Sequence, residues 1–169
     1  MPEQQWYALY TAARAEIKVY ERLVKEGFET FLPLKKVERQ WSDRKKIIDE
    51  PVFRSYVFVK TMPHLFYQVT GIPGAVCFVH FEKKPAPIRE EQIEMLKKLI
   101  KLNASFIVTP NKFKPGQKVK VIEGIFQGLK GEVVSEKHKE LFIIRIDTLQ
   151  YNLVLQIEDC FLAPDKIEG

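Results

Sequence analysis

The chain has 169 residues, 46% hydrophobic and 12% aromatic, with a formal net charge of +5. This composition suits one ordinary domain or two small ones and excludes a disordered chain. No run approaches the roughly 18 apolar residues of a membrane span. The opening Met-Pro-Glu-Gln-Gln-Trp-Tyr lacks the basic-then-apolar pattern of a secretion signal. Cys77 and Cys160 are far apart, without metal-ligand spacing, and read as small core residues in a reducing cytoplasm.

Gln5 to Thr11 alternates as a strand that is apolar on both sides, with Trp6, Ala8 and Tyr10 on one face and Tyr7 and Leu9 on the other. A helix is predicted from about Arg14 to Glu26, with Ile17, Tyr20, Leu23 and Val24 as its buried stripe and Gly27 as its terminator. Glu29 to Arg39 returns as a strand, and Pro33 suggests an edge or irregular position. Ser42-Asp43 makes a turn. Between Lys35 and Lys46 six cations (Lys35, Lys36, Arg39, Arg44, Lys45, Lys46) face only Glu38 and Asp43, beside Trp41. Clustered cations next to an aromatic suit phosphates and bases, although a solvated hairpin has the same composition.

The next strand, interrupted by Pro51, carries Val52, Arg54, Tyr56, Phe58 and Lys60 at even positions and Phe53, Ser55, Val57 and Val59 at odd ones. A strand greasy on both faces must be covered on both. A short helix over His64 to Val69, a turn at Gly71-Ile72-Pro73-Gly74, a strand over Ala75 to Phe81 and a helix over Arg89 to Leu102 follow, the last with Ile93, Leu96, Leu99 and Ile100 inward. This order predicts an α+β fold, an antiparallel sheet with flanking helices of the ferredoxin-like, RNP-like kind, over residues 1–102.

Residues 103–112 have no clear period and read as a linker. From Phe113 to residue 169, short alternating runs and the turn Gly124-Ile125-Phe126-Gln127-Gly128-Leu129-Lys130-Gly131 predict a small all-β barrel. The charge is uneven: residues 1–105 hold 18 Lys and Arg against 13 Asp and Glu, and residues 106–169 hold 9 of each. The barrel is therefore no obvious phosphate binder.

Enzymatic chemistry is not indicated. His64, His80 and His138 are scattered, Glu90 and Glu91 suit the positive end of a helix, and no phosphate-cradling glycine loop opens a helix. No cofactor or metal is expected. Arg54-Ser55-Tyr56-Val57-Phe58-Val59-Lys60-Thr61 matches the RNP1 pattern at Arg54, Tyr56, Phe58 and Val59 but fails at Ser55, Val57 and Thr61. Three readings of this face stay open: an RNA-stacking platform, a cavity for a protein partner anchored by Tyr10, Tyr56 and Phe58, and an internal second layer.

The chain resembles the NusG family of transcription elongation factors. The resemblance is carried by Trp6-Tyr7, Glu16, Leu23, Gly27-Phe28, Phe31-Leu32-Pro33, Pro51-Val52-Phe53, Tyr56-Val57-Phe58-Val59, Pro73-Gly74 and Lys84-Pro85-Ala86-Pro87-Ile88. Phe113-x-Pro115-Gly116 through Gly124-x-Phe126-x-Gly128-x-x-Gly131 resembles the family's KOW motif, which implies an SH3-like KOW barrel behind an NGN-type domain. The Arg39-to-Lys46 segment is similar to UpxY-like specialised antiterminators of surface-polysaccharide operons.

The resemblance implies a cytoplasmic, monomeric, non-enzymatic antiterminator that docks on the clamp helices of RNA polymerase through Tyr10, Phe53, Tyr56 and Phe58. It implies contact with non-template DNA, or with nascent leader RNA, through Arg14, Lys18, Arg39, Arg44, Lys45 and Lys46. Ile125, Phe126 and Leu129 would lie near a KOW surface for a ribosomal protein or termination factor. The alternative is an RNA-binding or ribosome-associated KOW protein acting without polymerase. Two departures stand out: Arg54-Ser55 replaces the Pro-Gly of many members, and Leu65-Phe66-Tyr67 stands where one paralog type carries a His-Thr-Thr contact. Branched residues such as Val119, Val121, Val133 and Val134 favour strands, so a stable barrel is expected rather than a switch to helix.

Overall fold

The computed structural model describes residues 3–157 and 161–165. The chain forms two compact units, Met1–Lys101 and Leu102–Gly169. In the first, strands β1 (Gln5–Thr11), β2 (Glu29–Phe31), β5 (Tyr56–Thr61) and β6 (Ala75–Phe78) form an antiparallel sheet in the order β2-β5-β1-β6. This is the ferredoxin-like order, with the hairpin β3 (Leu34–Gln40) and β4 (Lys45–Pro51) inserted between the second and third sheet strands. Two short strands, β7 (His80–Phe81) and β8 (Lys84–Pro85), form a small hairpin, and β9 (Pro87–Ile88) pairs with β1 at Trp6 and Tyr7.

Helix α1 (Glu16–Lys25) and the short α2 (Phe66–Thr70) lie on the sheet face that carries Tyr7, Leu9, Val57 and Val59. The inward stripe of α1 differs from the predicted one. Glu16, Val19 and Leu23 are buried and Tyr20 is partly buried, whereas Ile17 and Val24 are exposed. Two stripes with helical spacing overlap in this sequence, and packing against the sheet selects between them. The end of α1 follows the prediction: Gly27 takes φ +88°, its N–H donates to the Val24 carbonyl, and the Phe28 N–H donates to that of Leu23. This is a Schellman cap.

Helix α3 (Glu90–Lys101) buries Ile93, Leu96 and Leu99 and serves the opposite sheet face. Its Lys97 ammonium lies over the rings of Trp6 and Phe31, both of that face. The protein's own helices thus cover one face of the strand that is greasy on both sides, and α3 covers the Trp6 end of the other. Cys77, expected in the core, is exposed on β6, the edge strand. Cys160 lies outside the described residues.

In the second unit, β10 (Phe106–Pro110), β11 (Gln117–Val121), β12 (Lys130–Glu136), β13 (Lys139–Ile146), β14 (Tyr151–Leu155) and β15 (Leu162–Pro164) form one antiparallel sheet in the order β10-β14-β13-β12-β11-β15. Buried side chains run from Phe106 on one edge strand to Val121 near the other. With no α-helix among the unit's described residues to cover it, such a sheet buries them by curling on itself, as a small barrel does. Gly131 shows how tightly it curls: a Cβ there would stand 2.6 Å from both the Ile143 carbonyl oxygen and the Phe142 ring. The segment 103–112 holds β10, whose Phe106 pairs with Leu155. Pro110 is the last residue of that strand and Asn111 follows it.

Candidate functional site

The antiparallel register puts Trp6, Ala8 and Tyr10 of β1 beside Lys60, Phe58 and Tyr56 of β5, and Phe31 of β2 beside Phe58. One face therefore carries a ladder of aromatics whose surroundings change along its length. At the α3 end, Trp6 is fully buried and flanked by Lys60 and Lys97. Lys60 Nζ stands 3.2 Å from Glu90 Oε2. The indole N–H of Trp6 reaches no hydrogen-bond partner of full geometry, and Glu90 is the carboxylate it leans toward. That N–H contributes most to holding the Glu90 carboxyl below its usual range; desolvation opposes it, and Lys60 and then Lys97 add to the lowering.

In the middle, Phe58 is 0% exposed, stacked on Phe31 at 6.1 Å and met edge-on by Phe53 at 6.0 Å. At the far end the cover stops. Tyr10 is 42% exposed and Tyr56 half-buried, their rings T-shaped at 5.6 Å. Such aromatic pairs contribute about 0.5–1.5 kcal/mol beyond the area they bury, so this one is preorganised while still presenting surface.

Of the four expected docking residues, the structure thus separates two from two. Tyr10 and Tyr56 are accessible, and Phe53 and Phe58 form the floor beneath them. Phe53 also breaks the alternation argument. By counting it belongs opposite Phe58, yet it packs on the same side. The strand begins only at Tyr56, and Ser55 has φ +65°, so alternation does not extend back through the turn. For the same reason, counting does not place Arg54, which is exposed, on the face of Tyr56.

The basic segment forms the tip and arms of the β3–β4 hairpin. The chain leaves the main sheet at Pro33, whose carbonyl accepts from the Val52 N–H as it returns. The register brings Asp49 and Glu50 back beside the cations. Lys36 pairs with Asp49 at 3.6 Å, Lys45 with Glu38 at 3.7 Å, and the Arg39 guanidinium binds Glu50, its Nε at 2.8 Å. The cationic excess counted along the sequence is therefore partly offset from the returning strand. Arg44 and Lys46 are exposed at the tip, and Lys46 Nζ lies 5.3 Å from the ring centre of half-exposed Trp41. Ile47 stands 68% exposed nearby in β4. Arg14 and Lys18 are exposed on a different element, the start of α1 and the loop before it.

In the second unit the turn after β11 projects Ile125, which is 67% exposed, and leaves Phe126 half-buried. Leu129, also expected at the surface, is 4% exposed. The Val121 N–H donates to its carbonyl and folds it into the core.

Residue-by-residue reading missed the role of Glu16, which is 7% exposed at the first turn of α1 and accepts a 2.8 Å hydrogen bond from the Ser55 N–H. Its signal was an acidic residue on the inward stripe. Among the described residues no group of three or more His, Cys, Asp or Glu could hold a metal ion, and no helix is long and apolar enough to cross a membrane.

Comparison with known proteins places this geometry. Residues 4–97 match the family NusG, described as transcription termination factor nusG. The transcription termination/antitermination protein NusG of Campylobacter jejuni is 24% identical over 179 aligned positions, covering 99% of each chain. The protein of the same description from Streptococcus pyogenes is 27% identical over 154, covering 82% of this chain and 84% of its own. A solved structure of Thermotoga maritima NusG superposes with a TM-score of 0.54 at 20% identity, covering 97% of this chain and 98% of its own, and supports the two-part fold. With the family match spanning more than half of the sequence, the chain belongs to the NusG family.

Proposed function

We propose that this protein is a specialised NusG-type antiterminator that docks on the clamp helices of RNA polymerase through the Tyr10–Tyr56 end of its aromatic ladder. The carrying observation is that pair: two tyrosines held edge-to-face and left open where the rest of the face is covered. Rigid aromatics above a packed floor are the usual anchors of protein interfaces. The hairpin-tip cations Arg44 and Lys46, with Lys45, Arg14 and Lys18, supply contacts to non-template DNA or leader RNA. Ile125 and Phe126 supply an apolar knob for a further factor, a ribosomal protein or termination factor. The UpxY-like role at surface-polysaccharide operons is the finer part of the same proposal, and it rests on the Arg39-to-Lys46 segment.

The alternative, an RNA-binding protein acting without polymerase, needs Tyr56 and Phe58 as a stacking platform. Phe58 at 0% exposure offers no ring face to a base, which weighs toward protein docking. The test is capture of purified RNA polymerase by the full chain, with transcription through a terminator run in parallel. Tyr10→Ala with Tyr56→Ala is expected to abolish both capture and readthrough without unfolding the protein. Undiminished capture by the folded double variant refutes the docking site, and RNA binding lost with Tyr56→Ala in the absence of polymerase favours the alternative.

A further inference from the structure

We propose that Glu16 is a positioning residue for the exposed tyrosine pair, holding the Arg54-Ser55 turn in the left-handed conformation from which Tyr56 enters the sheet. The inference rests on the docking reading of Tyr10 and Tyr56. Three observations meet at this turn. Ser55 has φ +65°, a region that a residue with a Cβ enters only at a cost. Its N–H donates to Glu16 Oε1 at 2.8 Å across 39 residues of sequence, and its carbonyl accepts from the Thr11 N–H at 2.8 Å. Tyr10 immediately precedes Thr11, and Tyr56 immediately follows Ser55. The two clamps on one strained residue therefore sit directly beside the two rings of the T-shaped pair.

The placement of Glu16 is not what its helix position alone asks for. An acidic side chain in a first helical turn gains from the dipole while remaining in water. This one is 7% exposed and directs an oxygen at a backbone N–H of another element. Without that acceptor, the N–H is left part-buried and unpaired, and Ser55 gains by relaxing to negative φ. Relaxation turns the peptide that sets where Tyr56 starts and releases Phe53, which packs beneath only because the turn breaks strand alternation. A glycine at position 55 takes positive φ freely and has less need of the clamp. The Pro-Gly of many family members at this place, against Arg54-Ser55 here, makes Glu16 more important in this chain than in those.

The full chain is read in two ways: the ring-to-ring nuclear Overhauser contact between Tyr10 and Tyr56, which needs no polymerase, and capture of purified RNA polymerase. Glu16→Ala is expected to lose the ring contact and weaken capture about tenfold, the equivalent of roughly 1.4 kcal/mol. Glu16→Gln, which keeps an acceptor oxygen, is expected to retain both. Ser55→Gly added to Glu16→Ala is expected to restore both, which generic loss of packing would not predict. Ser55→Val, which resists positive φ with Glu16 intact, is expected to behave like Glu16→Ala and serves if that variant does not fold. A folded Glu16→Ala or Ser55→Val protein with the ring contact unchanged overturns the inference whatever polymerase does. A Glu16→Ala protein not rescued by Ser55→Gly also overturns it. Loss and rescue of the ring contact in a protein that never captures polymerase supports the positioning role and refutes the docking reading instead.

Discussion

Phe58→Ala and Tyr56→Ala sit two residues apart on one strand face and are expected to have opposite consequences. Phe58 is 0% exposed, with Phe31 and Phe53 both seated on its ring. Truncating such a ring removes its transfer free energy and leaves a cavity, together about 3–5 kcal/mol. Against a total stability of roughly 5–15 kcal/mol for a domain, that is a major loss. Tyr56 is half-buried and meets Tyr10 edge-on. Losing part of its burial and one aromatic contact costs about 1–2 kcal/mol.

The protein has two tryptophans. In a Trp41→Phe background, buried Trp6 on the same face becomes the sole reporter of urea unfolding. With a slope of about 1–3 kcal/mol per molar for small proteins, Phe58→Ala is expected to move the midpoint by roughly 2 M and Tyr56→Ala by less than about 1 M. Tyr56→Ala then tests docking on an intact fold, which Phe58→Ala cannot do. A Phe58→Ala midpoint within about 0.5 M of the parent, or a Tyr56→Ala shift as large as that of Phe58→Ala, would refute the division of the ladder into floor and open end.

Other expectations follow from single features. If the hairpin tip contacts nucleic acid, Arg44→Ala and Lys46→Ala should each lower the log–log salt slope of binding by about 0.7–0.9. Arg39→Ala should lower it less, because Glu50 already engages that guanidinium; equal slopes for all three would contradict the pairing. The Glu90 carboxyl is held below its unfolded value of 4.5, so its stabilising contribution is present above that pH and is lost as pH falls through the lower folded value. Glu90→Gln should therefore flatten the acid limb of stability below about pH 5, measured by urea midpoints against pH; an unchanged limb would remove Glu90 from the account. Gly131→Ala places a Cβ 2.6 Å from a backbone oxygen and should destabilise the second unit by about 2 kcal/mol in thermal melts followed by circular dichroism. A melt indistinguishable from the parent would refute close packing at Gly131.

Much of the fold was legible because its signals are local. Alternation in Gln5–Thr11, the amphipathic run of α3, Gly27 as a cap and the branched runs of the barrel each depend on near neighbours. The misreadings arise where a distant partner decides. Ile17 and Val24 have the same helical spacing as the stripe actually buried, and the sheet beneath α1 selects the other. Leu129 follows an exposed turn and reads as surface, until the hydrogen bond from the Val121 N–H to its carbonyl folds it inward. The charge of the basic segment excludes Asp49 and Glu50, because only the hairpin brings Asp49 opposite Lys36 and Glu50 within reach of the Arg39 guanidinium.

The sequence by itself determined which residues can be strand, helix and turn, that the chain carries an aromatic strand greasy on both faces, and that its motifs are those of the NusG family. Composition and periodicity suffice for this, since they record what each segment must bury. Tertiary structure alone decided that α3 covers one end of that face, that Phe53 and Phe58 lie beneath while Tyr10 and Tyr56 remain open, and that Glu16 accepts a hydrogen bond from the turn between them. Burial depends on which element arrives overhead, and a hydrogen bond across 39 residues leaves no periodic trace in the chain.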